Sequence, residues 1–260
     1  MSMILYLFYN SDLLTDVERM EMKVGYIDDV NFFVEGPTFN EAYSKLSNMM
    51  MRDGGGLDWY SRFEMSKLTL IGFSCRRMQD PVHPRKVIAE PWPSFSLNGT
   101  IIKPAKAHKF VGTIFDQELR WKMQADRVIA KATKWVLASC CLARPAAGIF
   151  PHQMRQLYQV VAVPSFTYTT DVWFMPICRD TGDERFRGFI GTARKLTTVQ
   201  CMATAAVTGV LHTSTSDIME AHANLMPIEL LLNKVCHRAA LQLAALLESH
   251  PLYKPVCQST

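Results

Sequence analysis

The sequence predicts an α+β fold, with a mixed strand-and-helix part followed by an all-helical part, and three observations predict it. Between Met22 and Phe115, β-rich runs alternate with Gly, Pro and Asn turn signals around one helical stretch. From Gln117 onward the apolar residues recur at helical spacing almost to the end. The charge changes along the same line. Residues 1–60 carry 4 basic against 10 acidic side chains, residues 61–145 carry 15 against 6, and the remainder 9 against 8. An acidic segment followed by a basic one suits a metal site beside a groove for a polyanion, and ordinary surface charge is the alternative.

Composition sets the frame for these elements. With 260 residues, 48% of them hydrophobic and 20% charged, the chain has the make-up of a globular protein rather than a disordered one. No apolar run approaches the roughly 20 residues of a membrane-spanning helix. Met3 to Tyr9 is short, with no basic flank before it and no cleavage site after it, so it does not read as a signal peptide. The seven cysteines are odd in number and scattered, without a C-x-x-C pair. That argues against a disulfide framework and a structural zinc site, and for an intracellular setting.

The elements follow in order. Residues 4–18 read as a helix. Val24, Tyr26 and Ile27 lead into Asp28-Asp29, and Val30, Phe32, Phe33 and Val34 follow, which predicts a hairpin with its tip at the aspartates. Gly36-Pro37 stops the second strand. Thr38 with Glu41 three residues on forms a capping-box pattern, opening a helix to about Met51 that Gly54-Gly55-Gly56 ends. Lys67 to Phe73 is expected as a strand and proline-rich 75–93 as a loop. Asn98-Gly99 turns between strands Phe95–Leu97 and Thr100–Ile102. Lys109 to Phe115 is expected as one more short strand, ended by Asp116. A basic helix then covers Gln117 to about Leu142, followed by helices over 151–162, 192–208, 215–223 and 227–248. In the last of these, Leu230, Leu231, Val235, Leu241, Leu243 and Leu246 are expected in the core. The expected parts are 1–116, 117–145 and 146–260.

The acidic turn carries the most chemistry. Neighbouring residues on a flat strand point to opposite faces, so two adjacent aspartates serve one site only where the chain turns. Their oxygens suit Mg2+, and two such ions can activate an attacking hydroxyl and steady a leaving oxygen in phosphoryl transfer. An exposed Asp-Asp hairpin turn without function is the alternative. Farther on, Arg127, Lys131 and Lys134 are spaced by four and three on one helical face, with Arg120 and Lys122 before them and Val128, Ala132 and Trp135 in an adjacent apolar stripe. The histidines and cysteines show no ligand spacing, and no P-loop, dinucleotide glycine pattern or nucleophile elbow is present.

Gly25-Tyr26-Ile27-Asp28-Asp29-Val30 resembles the aromatic-x-Asp-Asp motif of reverse transcriptases. Further blocks resemble, in family order, the polymerases of fungal-type non-LTR (LINE-like) retrotransposons. These are Ile4 to Leu14, Gly54 to Trp59, Arg62 to Leu68, His108 to Gly112, Leu119-Arg120-Trp121, Arg194 to Gln200 and Leu225 to Leu230. The resemblance implies a partial polymerase palm with a primer-grip-like hairpin, then a thumb and connecting helices. Asp28 and Asp29 would be the metal ligands, for two Mg2+ in the complete family site. Tyr26 would lie near the primer end and the incoming dNTP, and Lys67 would match a lysine that protonates the leaving pyrophosphate. His108, Lys109, Phe110, Val111 and Gly112 would hold the primer backbone. Arg120, Lys122, Arg127, Lys131 and Lys134 would follow the phosphates of an RNA template and DNA primer. A nuclear or cytoplasmic ribonucleoprotein setting without a membrane is expected.

Two departures qualify the resemblance. The family has a fingers region and a further catalytic aspartate ahead of the hairpin, and none of the 27 residues before Asp28 resembles that strand. The stretch Trp59-Tyr60-Ser61 is also shorter than the family pattern. The chain is therefore expected to begin within the palm, to hold magnesium weakly and to show little polymerase activity by itself. A non-catalytic nucleic-acid-binding or interaction remnant of a degraded element is the alternative.

Overall fold

The computed structural model describes residues 21–26, 29–54, 67–74, 76–97, 99–143, 148–179, 185–210, 213–250 and 252–258. The chain divides into two compact units, residues 1–120 and 121–260.

In the first unit, strands β1 (Glu21–Tyr26) and β2 (Asp29–Val34) form an antiparallel pair. Helix α1 (Phe39–Gly54) follows, and Thr38 Oγ1 accepts the Glu41 backbone N–H at 3.3 Å, as the capping pattern predicts. The alternation of β2 sends Phe32 and Val34 to one face, where they pack with Leu46, Met50, Phe95, Leu97 and Ile102. Strands β5 (Phe95–Leu97) and β6 (Thr100–Ile102) supply the last three of these, and Gly99 at φ 78° takes the left-handed turn position between them. The helix expected over residues 4–18 lies outside the described residues.

Three expectations for this unit need correction. Lys67–Phe73 is not a strand: Leu70 makes a single bridge to Pro104, and Ala105 N–H donates to the Leu70 carbonyl at 2.8 Å. Proline has no N–H to extend a ladder there. The proline-rich segment 75–93 contains a hairpin, β3 (Arg77–Gln79) paired with β4 (Val87–Ala89). Its prolines fall in the connection and after the second strand, and Asp80 Oδ1 closes the turn by accepting Val82 N–H at 2.9 Å. Lys109–Phe115 is likewise two strands, β7 (Ala107–Phe110) and β8 (Thr113–Asp116), reversed at Val111-Gly112. Val111 stands at φ 43° and Gly112 at φ 84°. This is the mirror-image turn that matches strand twist, and a β-branched residue in its first position is strained.

The second unit is mainly helical. Helix α2 starts at Lys122 rather than Gln117 and ends at Cys140. The residues before it are claimed by Asp116, whose backbone carbonyl accepts Leu119 N–H at 2.9 Å and whose Oδ2 accepts Arg120 N–H at 2.8 Å. Helix α3 (Pro151–Leu157) runs on through a π-helical turn at Tyr158–Ala162 into α4 (Val163–Thr167). The expectation ended this helix at residue 162. Pro164 lies just inside α4, and the wider π turn before it accommodates a proline that supplies no N–H.

Then come α5 (Thr170–Trp173), a two-residue pairing of β9 (Cys178–Arg179) with β10 (Phe186–Arg187), and helices α6 (Ile190–Thr208), α7 (Ser216–Ala223), α8 (Ile228–Ala244) and α9 (Tyr253–Gln258). One core joins these helices, with Val128, Ala132 and Val136 of α2 set among Phe166, Trp173, Leu196, Ile228 and Leu232. The leucines expected in the core of α8 are not all there. Leu230, Leu241 and Leu243 are exposed, and Ile228, Leu232 and Cys236 form the buried stripe. Leu230, Leu231 and Leu232 stand in a row and so fall on three sides of α8, which left periodicity unable to choose the face.

Candidate functional site

The register of the β1–β2 hairpin sets the geometry of the acidic turn. Tyr26 pairs with Asp29, Val24 with Asn31 and Met22 with Phe33. Directly opposed residues share a face, so Tyr26 and Asp29 stand side by side at the end of the ladder. Ile27 and Asp28 lie outside the described residues. The face that Tyr26 and Asp29 share is open: Met22 is 56% and Tyr26 54% exposed, and Asp29 is exposed as well. On the same face the Asn31 side-chain amide nitrogen is buried without a hydrogen-bond partner among the described residues. Asp29 offers hard oxygens of the kind magnesium takes. It is one carboxylate, and among the described residues no group of three His, Cys, Asp or Glu could hold a metal. The described donors alone do not make up a two-ion site.

The other candidate residues of the first unit are set on separate elements. Lys67 is exposed in a helical turn just ahead of Leu68, which packs on the core beneath β2. In the β7–β8 hairpin, His108 pairs with Phe115 and Phe110 with Thr113, while Lys109 projects from the opposite face and is exposed. The Phe110 and Phe115 rings lie 6.5 Å apart, and Thr113 is buried. Arg120 belongs to this unit as well and pairs with Glu118, which also takes Arg77 at 3.5 Å.

In the second unit α2 presents the basic face. At about 100° per residue, Arg127, Lys131 and Lys134 fall within an arc of roughly 60°, and all three are exposed. Gln124, Val128, Ala132, Val136 and Ser139 form the buried side. Trp135, expected in the apolar stripe, is 38% exposed beside the basic arc. Lys122 lies more than a quarter-turn from that arc and does not extend it.

Sequence reading did not find the buried polar node of this unit. Tyr158 Oη donates to Gln200 Oε1 at 3.0 Å, and Gln200 Nε2 donates to Glu220 Oε1 at 2.6 Å and to the Met226 carbonyl at 3.0 Å. Burial first, then the Glu220 carboxylate and Cys201, push the Tyr158 phenol above its ordinary range. The node joins Arg194–Gln200 to Leu225–Leu230, two blocks quoted above for the resemblance. The available signal was a glutamine among the apolar positions of α6.

Comparison with family models, with curated proteins and with solved structures gives no match. Among the described residues no helix is long and apolar enough to cross a membrane.

Proposed function

We propose that this chain carries the palm and thumb portion of an RNA-directed DNA polymerase of the non-LTR retrotransposon type. The observation that carries the reading is the antiparallel register that sets Tyr26 opposite Asp29 at the end of a hairpin. An aromatic-x-Asp-Asp sequence in a strand would split its two carboxylates between faces; in a hairpin turn both can serve one site. In such a polymerase the turn would bring magnesium to a primer end and the phosphates of a dNTP, and the metal would supply charge neutralisation for phosphoryl transfer. This chain's own part would be to hold Asp28 and Asp29 on a rigid hairpin, with Tyr26 beside the nucleotide. The exposed arc of Arg127, Lys131 and Lys134 would follow duplex phosphates without reading bases. By itself the chain should give little primer extension on an RNA template; extension by this chain alone that is lost in Asp28→Ala would contradict that expectation.

A second reading, nucleic-acid binding without catalysis, is favoured by the exposed basic arc of α2, which needs no metal. A salt titration of duplex binding tests the arc common to both readings. Removing three phosphate contacts by Arg127→Ala/Lys131→Ala/Lys134→Ala should flatten the log–log salt slope by about 2–3. An unchanged slope would remove the arc from the interface.

A further inference from the structure

We propose that a cleft at the start of α1 is a nucleotide site, with the base against Phe73 and Trp92 and the phosphate on the Arg76 guanidinium. The cleft encloses about 480 Å³ and is lined by Glu35, Thr38, Phe39, Phe73, Arg76 and Trp92 among others. That volume falls within the range of small-molecule sites.

Its aromatic wall is built in advance. The Trp92 ring lies 4.5 Å from Phe39 and 5.9 Å from Tyr43, centroid to centroid. Tyr43 Oη donates to the Pro93 carbonyl at 2.6 Å, pinning the chain just after the indole. Behind the ring, a Cβ on Gly72 would fall 2.1 Å from Trp92, so the absence of a side chain there is what lets the indole lie against the backbone. The indole N–H is buried and has no hydrogen-bond partner among the described residues. Phe73 stands 41% exposed at the same cleft, a large apolar ring left without cover.

The charges decide what kind of planar ligand fits. Arg76 donates from one terminal nitrogen to the Pro37 carbonyl at 2.7 Å, which aims the guanidinium at the rim. Among the described residues no carboxylate pairs with it, whereas the adjacent Arg77 is taken by Glu118. A fixed guanidinium with open donors is the group that grips phosphate in two-point fashion. Glu35 lines the same cleft without an ion pair among the described residues. Its charge repels phosphate and accepts the ring N–H and amino donors of a base. The phosphate therefore lies toward Arg76 and the base toward Glu35, and guanine, with two adjacent donors on one edge, fits best. An aromatic platform with a cation beside it is how unpaired nucleotides are held.

The cleft begins where β2 ends, about 20 Å along that strand from the Asp29 turn at ~3.3 Å per residue. It is thus a different site from the turn and stands whether or not the turn binds metal.

Calorimetric titration of the full chain without divalent metal tests it, using guanosine 5′-monophosphate, guanosine, inorganic phosphate and a six-nucleotide guanine-containing RNA strand. The monophosphate should bind with a Kd below about 1 mM, and Arg76→Ala or Phe73→Ala, both at exposed positions, should each weaken it by about tenfold or more. Glu35→Gln should reduce the preference for guanosine over adenosine 5′-monophosphate, and the Trp92 indole N–H resonance should shift on binding. A strand that binds tighter than the monophosphate assigns the site to single-stranded nucleic acid, and equal affinity assigns it to free nucleotide. Phosphate binding as tightly as the monophosphate, equal affinity in wild type, Arg76→Ala and Phe73→Ala, or no heat with the monophosphate overturns the proposal.

Discussion

The helical unit ties several of its buried polar groups together, although Arg155 Nε, Thr170 Oγ1 and Trp173 Nε1 are buried there without a hydrogen-bond partner among the described residues, whereas the strand-rich unit leaves much of its surface unclosed. In the first case Tyr158, Gln200 and Glu220 form a continuous chain inside a core shared by the helices. A second tie of the same kind is Asn233, which exchanges two hydrogen bonds of 3.0 Å with the backbone of Ile177. In the strand-rich unit all the sheets are two-stranded among the described residues, and the outward face of β1–β2 exposes Met22, Tyr26 and Phe33. Isolated two-stranded ribbons are marginal, so their order depends on the small core over α1. Scaffold is concentrated in the helical unit, which also presents the exposed basic arc of α2, while the strand-rich unit carries the open hairpin face and the Arg76 cleft.

If this contrast is right, the largest loss of stability should come from cutting the polar node. Gln200→Leu leaves a carboxylate and a phenol buried without their partner, and should cost roughly 3 kcal/mol in chemical denaturation. A loss below about 1 kcal/mol, the size of an ordinary hydrogen bond, would mean the node is not a structural tie.

Next is Gly72→Ala, where the added methyl meets the Trp92 ring and must displace it. Overpacking of this kind costs about 1–3 kcal/mol. Here it should also shift the Trp92 resonances without moving those of Trp173 in the other unit. A neutral result would show the aromatic wall to be yielding.

The smallest effect is expected of Tyr158→Phe, about 1 kcal/mol for one buried hydrogen bond. It also carries a pH signature. The folded-state pKa of Tyr158 is raised by burial and by Glu220. Folding therefore favours the protonated phenol, and this stability is fully present below the unfolded tyrosine pKa of about 10 and lost as pH rises above it. Stability should fall above about pH 10 in wild type, and less steeply in Tyr158→Phe. Equal slopes would remove Tyr158 from the linkage.

What could be read from the sequence follows from how local each signal is. The Asp28-Asp29 hairpin strands, the Thr38 cap and the Asn98-Gly99 turn are set by neighbours a few residues apart, and the described parts of each are found where expected. The Val111-Gly112 turn was a local signal too, but valine in a left-handed position is rare enough that the run read as one strand. Lys67–Phe73 had strand composition, and composition does not provide a partner strand. The Tyr158–Gln200–Glu220 node depends on contacts 20 and 42 residues apart, and the core face of α8 on contacts such as Cys236 with Thr170, 66 residues apart, which no window along the chain contains. Of the candidate site, the basic arc was legible from spacing alone. The cleft at Arg76 was not, because Glu35, Phe73, Arg76 and Trp92 meet only through the fold.

A metal titration reads the acidic turn most directly. Manganese, used as a spectroscopic stand-in for magnesium, is titrated into the full chain, into Asp28→Ala and into Asp29→Ala. Weak but saturable binding that magnesium displaces, lost in Asp28→Ala and reduced in Asp29→Ala, is the predicted result. Binding that is the same in all three proteins would contradict a polymerase-type metal turn.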